Sequence, residues 1–290
     1  MKENILVTGG AGFIGTALVK ELFTRQYNIF VLDDYSSGFK PQNHIPGVTY
    51  IEGHTVKIEK YFKDININVV FHLGEYSRIA TSFDDIERVW KSNSCGTFHV
   101  VNFCKKRNAK IIYAGSSTRF AEEGVNHSPY SYTKSNGAEL IKNYFEWYGL
   151  KYAICYFYNV FGYGYDSSSV PGYESVVSVF EKQYKADKSL TICGSGYQRR
   201  AFTYVNDIVA GLLKAWKYNK NEEFQLNNTK EYSILEIAKM FSNNIIYVDD
   251  RPGDRATSIT TNNNARELLN WETTMDINEW IDNIKNGGNE

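Results

Sequence analysis

The sequence predicts an α/β fold built on a doubly wound parallel sheet, followed by a smaller C-terminal lobe. Strand-like apolar runs alternate with segments of helical periodicity over the first 160 residues. Several of these runs are apolar on both faces, as expected for parallel strands covered by helices on either side. After residue 160 the elements become shorter and the loops longer. With 290 residues, 42% of them hydrophobic, the chain can bury a sizeable core.

The elements of the first part follow from periodicity. Helical patterns fill the gaps between the strands: Ile14, Leu18 and Leu22 recur every four residues, and residues 84–107 and 132–148 are each long enough for a substantial helix. The predicted strands are "NILVT" (4–8), "NIFVLD" (28–33), "VVFHL" (69–73), "KIIYAGS" (110–116) and "YAICYFYNV" (152–160). This alternation favours a parallel sheet with helices on both faces.

The second part is less regular. Residues 162–173 are rich in Gly, Tyr and Ser and are interpreted as a loop, and "RPGD" (251–254) as a turn. "SILE" (233–236) has the spacing of a capping box that opens a helix, and two short helices are predicted near the C-terminus, within 263–271 and 276–285. We place the domain boundary between residues 1–165 and 166–290, and expect 201–218 to pack back on the first domain.

Composition narrows the possible partners and location. A net charge of −1 and a pI near 6.5 give no reason to expect nucleic acid or an anionic membrane as a partner. The four cysteines are scattered without a metal-ligand spacing, so we expect reduced thiols and no metal. We see neither a signal-like apolar stretch nor a run of 18 apolar residues, and therefore expect a cytoplasmic protein.

A glycine-rich loop follows the first predicted strand and opens the first helix. "VTGGAGFIG" (7–15) lets the backbone approach a pyrophosphate closely, while the start of the helix supplies N–H groups and a partial positive charge. The predicted cofactor contacts in this loop are Gly9, Gly12, Phe13, Ile14 and Gly15. Asp33 ends the second strand 18 residues later, where a carboxylate can accept hydrogen bonds from a ribose and would repel a 2′-phosphate. The pattern is that of a Rossmann domain that binds NAD rather than NADP.

Two Tyr-x-x-x-Lys pairs are present, Tyr130/Lys134 and Tyr184/Lys188. Composition alone predicts about 1.7 such pairs, so the spacing carries little information without its context. Tyr130 follows the strand that ends at Ser116 and lies at the start of a helix, which places Lys134 one turn on along the same face. Tyr184 falls in a polar helix far from the glycine loop, and we interpret it as part of a solvated face.

The chain resembles the extended short-chain dehydrogenase/reductase family, the NAD-dependent nucleotide-sugar epimerases and dehydratases. The likeness covers nearly the whole chain. It rests on motifs that occur in the family order: "TGGAGFIG", "LDDYSSG", "FHL", "NSCGT" (93–97), "AGSST", "PYSYTK", "YNVFG" (158–162), "RRAFTYVND" (199–207) and "RPGD".

The resemblance implies roles for matching residues. Tyr130 would be the general acid or base on a sugar hydroxyl or carbonyl. Lys134 would bind the nicotinamide ribose and favour the phenolate of Tyr130. Ser116 would hydrogen-bond the same sugar oxygen.

The resemblance also implies that the second domain binds a nucleotide sugar. Ser117 and Asn159 would face the substrate, and Arg200 and Arg251 would hold its diphosphate. Whether Arg200 or the adjacent Arg199 points inward is left open.

Some segments depart from the family pattern. His54 stands where the family usually has an Asp that reaches the adenine; it either contacts that ring or is an exposed side chain. "GEYSR" (74–78) replaces a run of small residues. In it, either Arg78 recognises an unusual sugar substituent, such as a carboxylate or an amide, or Glu75 and Arg78 form an internal ion pair. The stretch between Ser116 and Tyr130 is also shorter than is typical.

These features predict an NAD-dependent nucleotide-sugar 4-epimerase or C4 oxidoreductase that acts by hydride transfer at a sugar carbon. The alternatives are a 4,6-dehydratase and a catalytically silent NAD-binding sensor or scaffold. A dehydratase needs a second acid or base, and Glu75 is the one carboxylate that could be recruited for it. By analogy with the family, we also expect a homodimer that pairs through the helices at 84–107 and 132–148.

Overall fold

The computed structural model describes residues 2–37, 44–163, 174–250, 252–253 and 262–288. The strands are β1 (Asn4–Thr8), β2 (Asn28–Asp33), β3 (Thr49–Glu52), β4 (Val69–His72), β5 (Lys110–Ser116), β6 (Tyr152–Phe157), β7 (Asn159–Phe161), β8 (Leu190–Cys193), β9 (Arg199–Tyr204), β10 (Glu222–Leu226), β11 (Glu231–Ser233) and β12 (Ile245–Val248). The helices are α1 (Phe13–Thr24), α2 (Ile58–Tyr61), α3 (Ile86–Val89), α4 (Thr97–Arg107), α5 (Pro129–Tyr148), α6 (Val176–Lys185), α7 (Val205–Lys217), α8 (Ile234–Phe241), α9 (Asn264–Leu269) and α10 (Ile277–Lys285).

A seven-stranded sheet forms the centre of the molecule, in the order β10-β6-β5-β4-β1-β2-β3. Every neighbouring pair in it is parallel. From β1 the chain moves outward through β2 and β3, and from β4 it moves outward the other way through β5 and β6. The sheet therefore reverses direction between β1 and β4, and a crevice opens there at the carboxyl ends of the strands. This architecture confirms the predicted doubly wound α/β fold.

Helices cover both faces of the sheet. On one face α1 and α7 pack against it, and Leu18, Leu22 and Leu212 are fully buried there. On the other face α4 and α5 contribute Phe103 and Ile141 to a second fully buried cluster. Because both faces are covered, the strands consist of almost uninterrupted apolar residues, which is the pattern that the sequence shows.

Residues 84–107 differ from the long helix predicted there. The segment consists of α3, a π-helix (Trp90–Gly96) and α4. Asn93, in the middle of the π-helix, is buried and bonds the backbone of Tyr76 through both its amide oxygen (2.7 Å) and its amide nitrogen (3.1 Å). A Cβ on Gly96 would lie 2.4 Å from Thr55 Oγ1, so close approach requires glycine there. These tertiary contacts, which the helical period does not reveal, accompany the wider turn.

The remaining elements form smaller sheets, β11-β9-β7 and β12-β8, around an apolar cluster that includes Phe180, Phe202 and Trp280. The capping box predicted at Ser233 and Glu236 is present at the start of α8, and α9 and α10 are the two short helices predicted near the C-terminus. The chain also returns to the large sheet, since β10 pairs with β6 and α7 packs against α1. Whether residue 165 is a domain boundary stays a prediction. Within the described residues, every helix is too short or too polar to cross a membrane.

Candidate active site

A cleft of about 1340 Å³ opens at the carboxyl ends of the parallel strands, where the large sheet meets the smaller ones. The site residues predicted from sequence come from distant parts of the chain. Those that line the cleft are Gly9, Gly12, Phe13, Ile14, Gly15, Asp33, Arg78, Ser116, Ser117, Tyr130, Lys134, Asn159 and Arg200. Arg251 lies outside the described residues. The fold therefore brings the glycine loop, the acidic end of β2, the Tyr130–Lys134 pair and two of the predicted arginines, Arg78 and Arg200, to a single cavity.

The glycine loop is closely packed against its surroundings. Gly9 has φ +68°, and a Cβ there would lie 2.7 Å from the backbone of Leu73 and Gly74. A Cβ on Gly15 would lie 2.1 Å from the Gly9 carbonyl oxygen. Gly12 is the N-cap of α1, and a Cβ there would have only the Gly9 oxygen, at 3.4 Å, within 4 Å. Glycine is required for the turn at Gly9 and Gly15, while Gly12 leaves room beside the start of the helix.

Asp33 closes the same end of the cleft. Its two carboxylate oxygens accept hydrogen bonds from the backbone N–H groups of Ala11 and Tyr35, both at 2.9 Å. The side chain is buried, and burial raises the pKa of Asp33 although the two N–H groups act in the opposite direction. Each oxygen keeps capacity to accept from a ribose hydroxyl. The room beside Gly12 and the anchored acceptor at Asp33 fit the dinucleotide that the sequence predicts.

The two Tyr-x-x-x-Lys pairs lie in different environments. Ser128 caps α5 by accepting from the Ser131 N–H at 3.1 Å, and Pro129 begins the helix, which fixes Tyr130 in its first turn. Tyr130 then lies on the cleft with Ser116 at the end of β5. Tyr184, in α6, packs against Phe241 and is not part of the cleft lining. Tyr184 was expected on a solvated helix face; its ring is instead half-buried against an apolar cluster.

Lys134, four residues after Tyr130 in α5, is buried and forms an ion pair with Glu75. The side chains of Lys134 and Glu75 are only 6% and 3% exposed. The Lys134 ammonium also donates to the Ala114 carbonyl oxygen of β5. The sequence left two interpretations open, recognition of a sugar substituent by Arg78 or an internal ion pair of Arg78 with Glu75; the ion pair that Glu75 forms is instead with Lys134, 59 residues away. The sequence marked the loop at 74–78 as unusual because it departs from the family pattern. That departure does not identify which residue pairs with Glu75.

The other side of the cleft carries the predicted substrate residues. Asn159 begins β7 and Arg200 lies in β9 with 5% of its surface exposed. Arg199 points away: its side chain is 45% exposed, pairs with Glu236 at 3.1 Å and does not line the cleft. Alternation along a strand places neighbouring side chains on opposite faces, which explains why only Arg200 points inward.

Sequence reasoning missed other residues in or behind the cleft. Arg88 lines it and donates to the Ser36 carbonyl oxygen at 3.0 Å, near the Asp33 end. His72 is fully buried behind it, with its ring nitrogens 2.7 Å from Thr8 Oγ1 and 3.0 Å from Thr97 Oγ1. His54 was not missed: the sequence left it as either an adenine contact or an exposed side chain, and the structure places it half-buried in the cleft lining, where it caps a short 3₁₀ turn by accepting from the Val56 N–H at 3.2 Å. A polar residue inside an apolar strand is the signal that could have identified His72.

Comparisons with known proteins give a consistent result. The profile described as "NAD dependent epimerase/dehydratase family" matches residues 5–227. A protein of Methanocaldococcus jannaschii named "Putative UDP-glucose 4-epimerase" is 30% identical, with 97% of each chain covered. UDP-glucuronic acid decarboxylase 1 of Danio rerio is 25% identical over 97% of this chain and 71% of its own length.

Solved structures agree with these relatives. UDP-glucose 4-epimerase of Thermotoga maritima, solved with UDP-glucose, superposes with a TM-score of 0.88 at 27% identity, covering 96% of both chains. UDP-N-acetylglucosamine 4-epimerase of Methanobrevibacter ruminantium superposes with a TM-score of 0.86 at 26% identity, covering 97% of this chain and 96% of that one. The chain belongs to the NAD dependent epimerase/dehydratase family, and it is an enzyme that uses NAD.

Proposed function

We propose that the enzyme is a nucleotide-sugar 4-epimerase or C4 oxidoreductase. The observation that carries the proposal is that Ser116, Tyr130 and Lys134 line the same cleft as the glycine loop on one side and Arg200 on the other. A sugar nucleotide held by its diphosphate at Arg200 would reach the Tyr130 phenol with its sugar ring. The relatives' names support a uridine diphosphate sugar as substrate.

Each residue has a task in this reaction. Tyr130 takes the proton of the C4 hydroxyl and later returns it, because its phenol lines the cleft one helical turn before Lys134. Ser116 Oγ accepts from the Thr118 N–H (3.3 Å) and hydroxyl (3.0 Å), which leaves its own proton for the sugar oxygen. Lys134 donates to the cofactor ribose. Bound NAD supplies hydride acceptance and return at the sugar carbon.

Residues from both predicted domains would select the substrate. Asn159 and Ser117 face the cleft and can hydrogen-bond the diphosphate and the sugar. Arg200 supplies a guanidinium for the phosphates. Arg78 lies in the loop after β4 and lines the cleft, where a carboxylate or an amide on the sugar could reach it.

A 4,6-dehydratase is less well supported. Dehydration requires a second acid or base for the C5 proton and the leaving C6 hydroxyl. Ser117 and Thr118, which follow Ser116, are poorly suited to that task near neutral pH. Glu75, the carboxylate that sequence reasoning left as a candidate, is buried in its ion pair with Lys134. The site therefore supports redox chemistry at C4 better than 4,6-dehydration.

The test is a product analysis. The enzyme is incubated with NAD and, in turn, UDP-glucose, UDP-N-acetylglucosamine and UDP-glucuronic acid, and the products are separated and weighed. A new isomer of unchanged mass, or a 4-keto sugar, is expected for at least one substrate. Loss of water or of carbon dioxide would replace the proposal with dehydration or decarboxylation. A protein that binds NAD and UDP-sugars but converts none of them would be the silent sensor.

We also propose that the enzyme is a homodimer in the cytoplasm. Trp90, Phe98, Tyr132 and Tyr148, on the π-helix, α4 and α5, are each 40–55% exposed, which is more apolar surface than a solvated helix pair needs. Trp90 and Tyr132 stack at 6.2 Å and join the two elements into one surface. The four cysteines are all free thiols, as a reducing compartment requires.

A further inference from the structure

Glu75 is a buried carboxylate that the proposed reaction does not use. It lies in the loop after β4, contributes to the lining of the cleft, and forms an ion pair with Lys134. A carboxylate is seldom buried without several partners, because removing its charge from water is costly. The partners of Glu75 therefore indicate what it does.

Several hydrogen bonds hold each member of the pair. Glu75 Oε1 accepts from Thr97 Oγ1 at 2.5 Å and from the Tyr113 hydroxyl at 3.1 Å, while Oε2 accepts from Lys134 Nζ. Burial raises the pKa of Tyr113 well above its usual range, so this phenol stays a donor. Lys134 uses two of its three protons on Glu75 and on the Ala114 carbonyl oxygen. One ammonium proton remains for the cofactor ribose or for Tyr130.

A chain of donors behind Glu75 is polarised toward it. The hydroxyl proton of Thr97 goes to Glu75, so Thr97 Oγ1 must accept from His72 Nε2. His72 is neutral, since burial lowers its pKa to about 4, and its Nδ1 therefore accepts from Thr8 Oγ1. Thr8 in turn accepts from the Gly74 N–H at 3.1 Å. Each proton in this chain points toward the carboxylate, which fixes Glu75 in place and stabilises its charge.

We propose that Glu75 is a positioning residue that holds the Lys134 ammonium in place and compensates its charge. The inference rests on the proposed role of Lys134 at the nicotinamide ribose. Lys134 then acts mainly as a hydrogen-bond donor, because the pair presents a dipole rather than a full positive charge to the reacting atoms. An uncompensated ammonium would favour the reduced, uncharged nicotinamide over the oxidised, positively charged one. Glu75 removes that bias and keeps the enzyme suited to binding NAD in its oxidised form.

The experiment measures the affinities of the protein for NAD and NADH by titration calorimetry. Glu75→Gln should raise the ratio of the NAD to the NADH dissociation constant by about tenfold, as expected for one uncompensated charge at short range. Lys134→Met should shift the ratio in the opposite direction. The double variant should return close to the wild-type ratio, because the two charges are removed together. Glu122→Gln, an exposed carboxylate outside the cleft, is the matched control for charge and should leave the ratio unchanged.

A pH profile gives a second readout. Among the described residues, the titratable groups that interact with Glu75 are His72 from β4, Tyr113 from β5 and Lys134 from α5. In Glu75→Gln, the rising limb of kcat against pH should move toward acid, since an uncompensated ammonium favours negative charge on the groups that exchange the proton in the cleft. A purely structural Glu75 would lower stability and leave both the limb and the cofactor ratio where they are.

The outcomes separate this inference from the proposed function. An unchanged or reversed cofactor ratio in folded Glu75→Gln overturns the role of Glu75 even if the enzyme epimerises sugars. A wild-type enzyme that converts no nucleotide sugar overturns the proposed function, while the calorimetric ratio still decides the role of Glu75. If Glu75→Gln does not fold, the comparison of Lys134→Met with the double variant remains. Compared with Lys134→Met, the double variant should have a higher ratio of the NAD to the NADH dissociation constant. It should also be more stable, because it no longer buries an unpaired carboxylate.

Discussion

At the scale of single residues, Tyr130 and Tyr184 share the same spacing to a lysine but differ in surroundings. Tyr130→Phe should lower kcat by at least about 10²-fold while NAD stays bound, because only the phenol transfers the proton and the glycine loop and Asp33 hold the cofactor. Tyr184→Phe is the matched control and should retain activity, since its ring packs on Phe241 away from the cleft. Most of the wild-type kcat surviving in Tyr130→Phe would refute the assignment.

Arg199 and Arg200 form a second matched pair. Arg200→Ala should weaken nucleotide-sugar binding by roughly tenfold to a hundredfold, the worth of a hydrogen-bonded charge on phosphate. Arg199→Ala should change it little, because that side chain pairs with Glu236 at the surface. Calorimetric titration with UDP distinguishes them, with circular dichroism to show that the buried Arg200 site still folds. Equal losses in the two variants would contradict the assignment of Arg200.

His72 should make the protein sensitive to acid. The unfolded chain binds a proton at this residue below about pH 6.5, whereas the folded protein does so only near a pKa of about 4. The free energy of unfolding should therefore fall as pH decreases from 6.5 to 4, by about 3 kcal/mol in full. Urea denaturation across this range measures the effect. His72→Gln should be less stable at neutral pH but should lose less on acidification; an equally steep loss would show that other groups are responsible.

Where the evidence is local, the sequence pointed to residues that the structure places in the lining of the cleft. Asp33 is recognisable because it ends a strand at a fixed distance from the glycine loop, and Tyr130 because it begins a helix just after Ser116. The ion pair of Glu75 with Lys134 could not be predicted, because its members are 59 residues apart and meet only once β4, β5 and α5 have packed together. The inward orientation of Arg200 likewise depends on the register of β9.

At the scale of elements, two glycines of the glycine loop have different purposes: Gly15 is required by the fold, and Gly12 leaves space for the cofactor. Gly15→Ala should lower the free energy of unfolding by about 2 kcal/mol or more, since its Cβ would lie 2.1 Å from the Gly9 carbonyl oxygen. Gly12→Ala should keep nearly the wild-type melting temperature, because its nearest neighbour is 3.4 Å away, but should weaken NAD binding by occupying the space beside the start of α1. Thermal melting and calorimetry on both variants test this. A Gly12→Ala protein that binds NAD normally would argue against that placement of the pyrophosphate.

Element prediction succeeded where hydrophobic period and burial agree. The strands of the first part are apolar on both faces, and the structure places them in a covered parallel sheet. The π-helix at Trp90–Gly96 escaped prediction because it depends on the bonds of Asn93 to Tyr76 and on the contact of Gly96 with Thr55, none of which changes the local helical pattern. Lys91 and Ser92 of this segment line the cleft, so the irregular turn lies at the site.

At the scale of the whole molecule, the alternation of strands and helices predicted the doubly wound sheet but not the full path of the chain. β10 (residues 222–226) pairs with β6 at the edge of the large sheet, although the preceding strands β7, β8 and β9 belong to the smaller sheets. A linear division of the sequence therefore cannot describe which residues form each layer. Since the lining of the cleft comes from the large sheet and from the smaller ones, cofactor and substrate binding should stabilise these sheets together.

The exposed aromatic surface on α4 and α5 leads to the last prediction. If the proposed homodimer pairs through this surface, Phe98→Arg should convert it to a monomer, because the added charge would be buried in an apolar interface without a partner. Light scattering at micromolar concentration measures the mass. Tyr197→Arg is the matched control: Tyr197 is 73% exposed in the loop before β9, and this change should leave the dimer intact. A wild-type protein that is monomeric under these conditions would refute the interface. If the dimer persists in Phe98→Arg, the protein must pair through another face, and the exposed strand β12 would be the next surface to test.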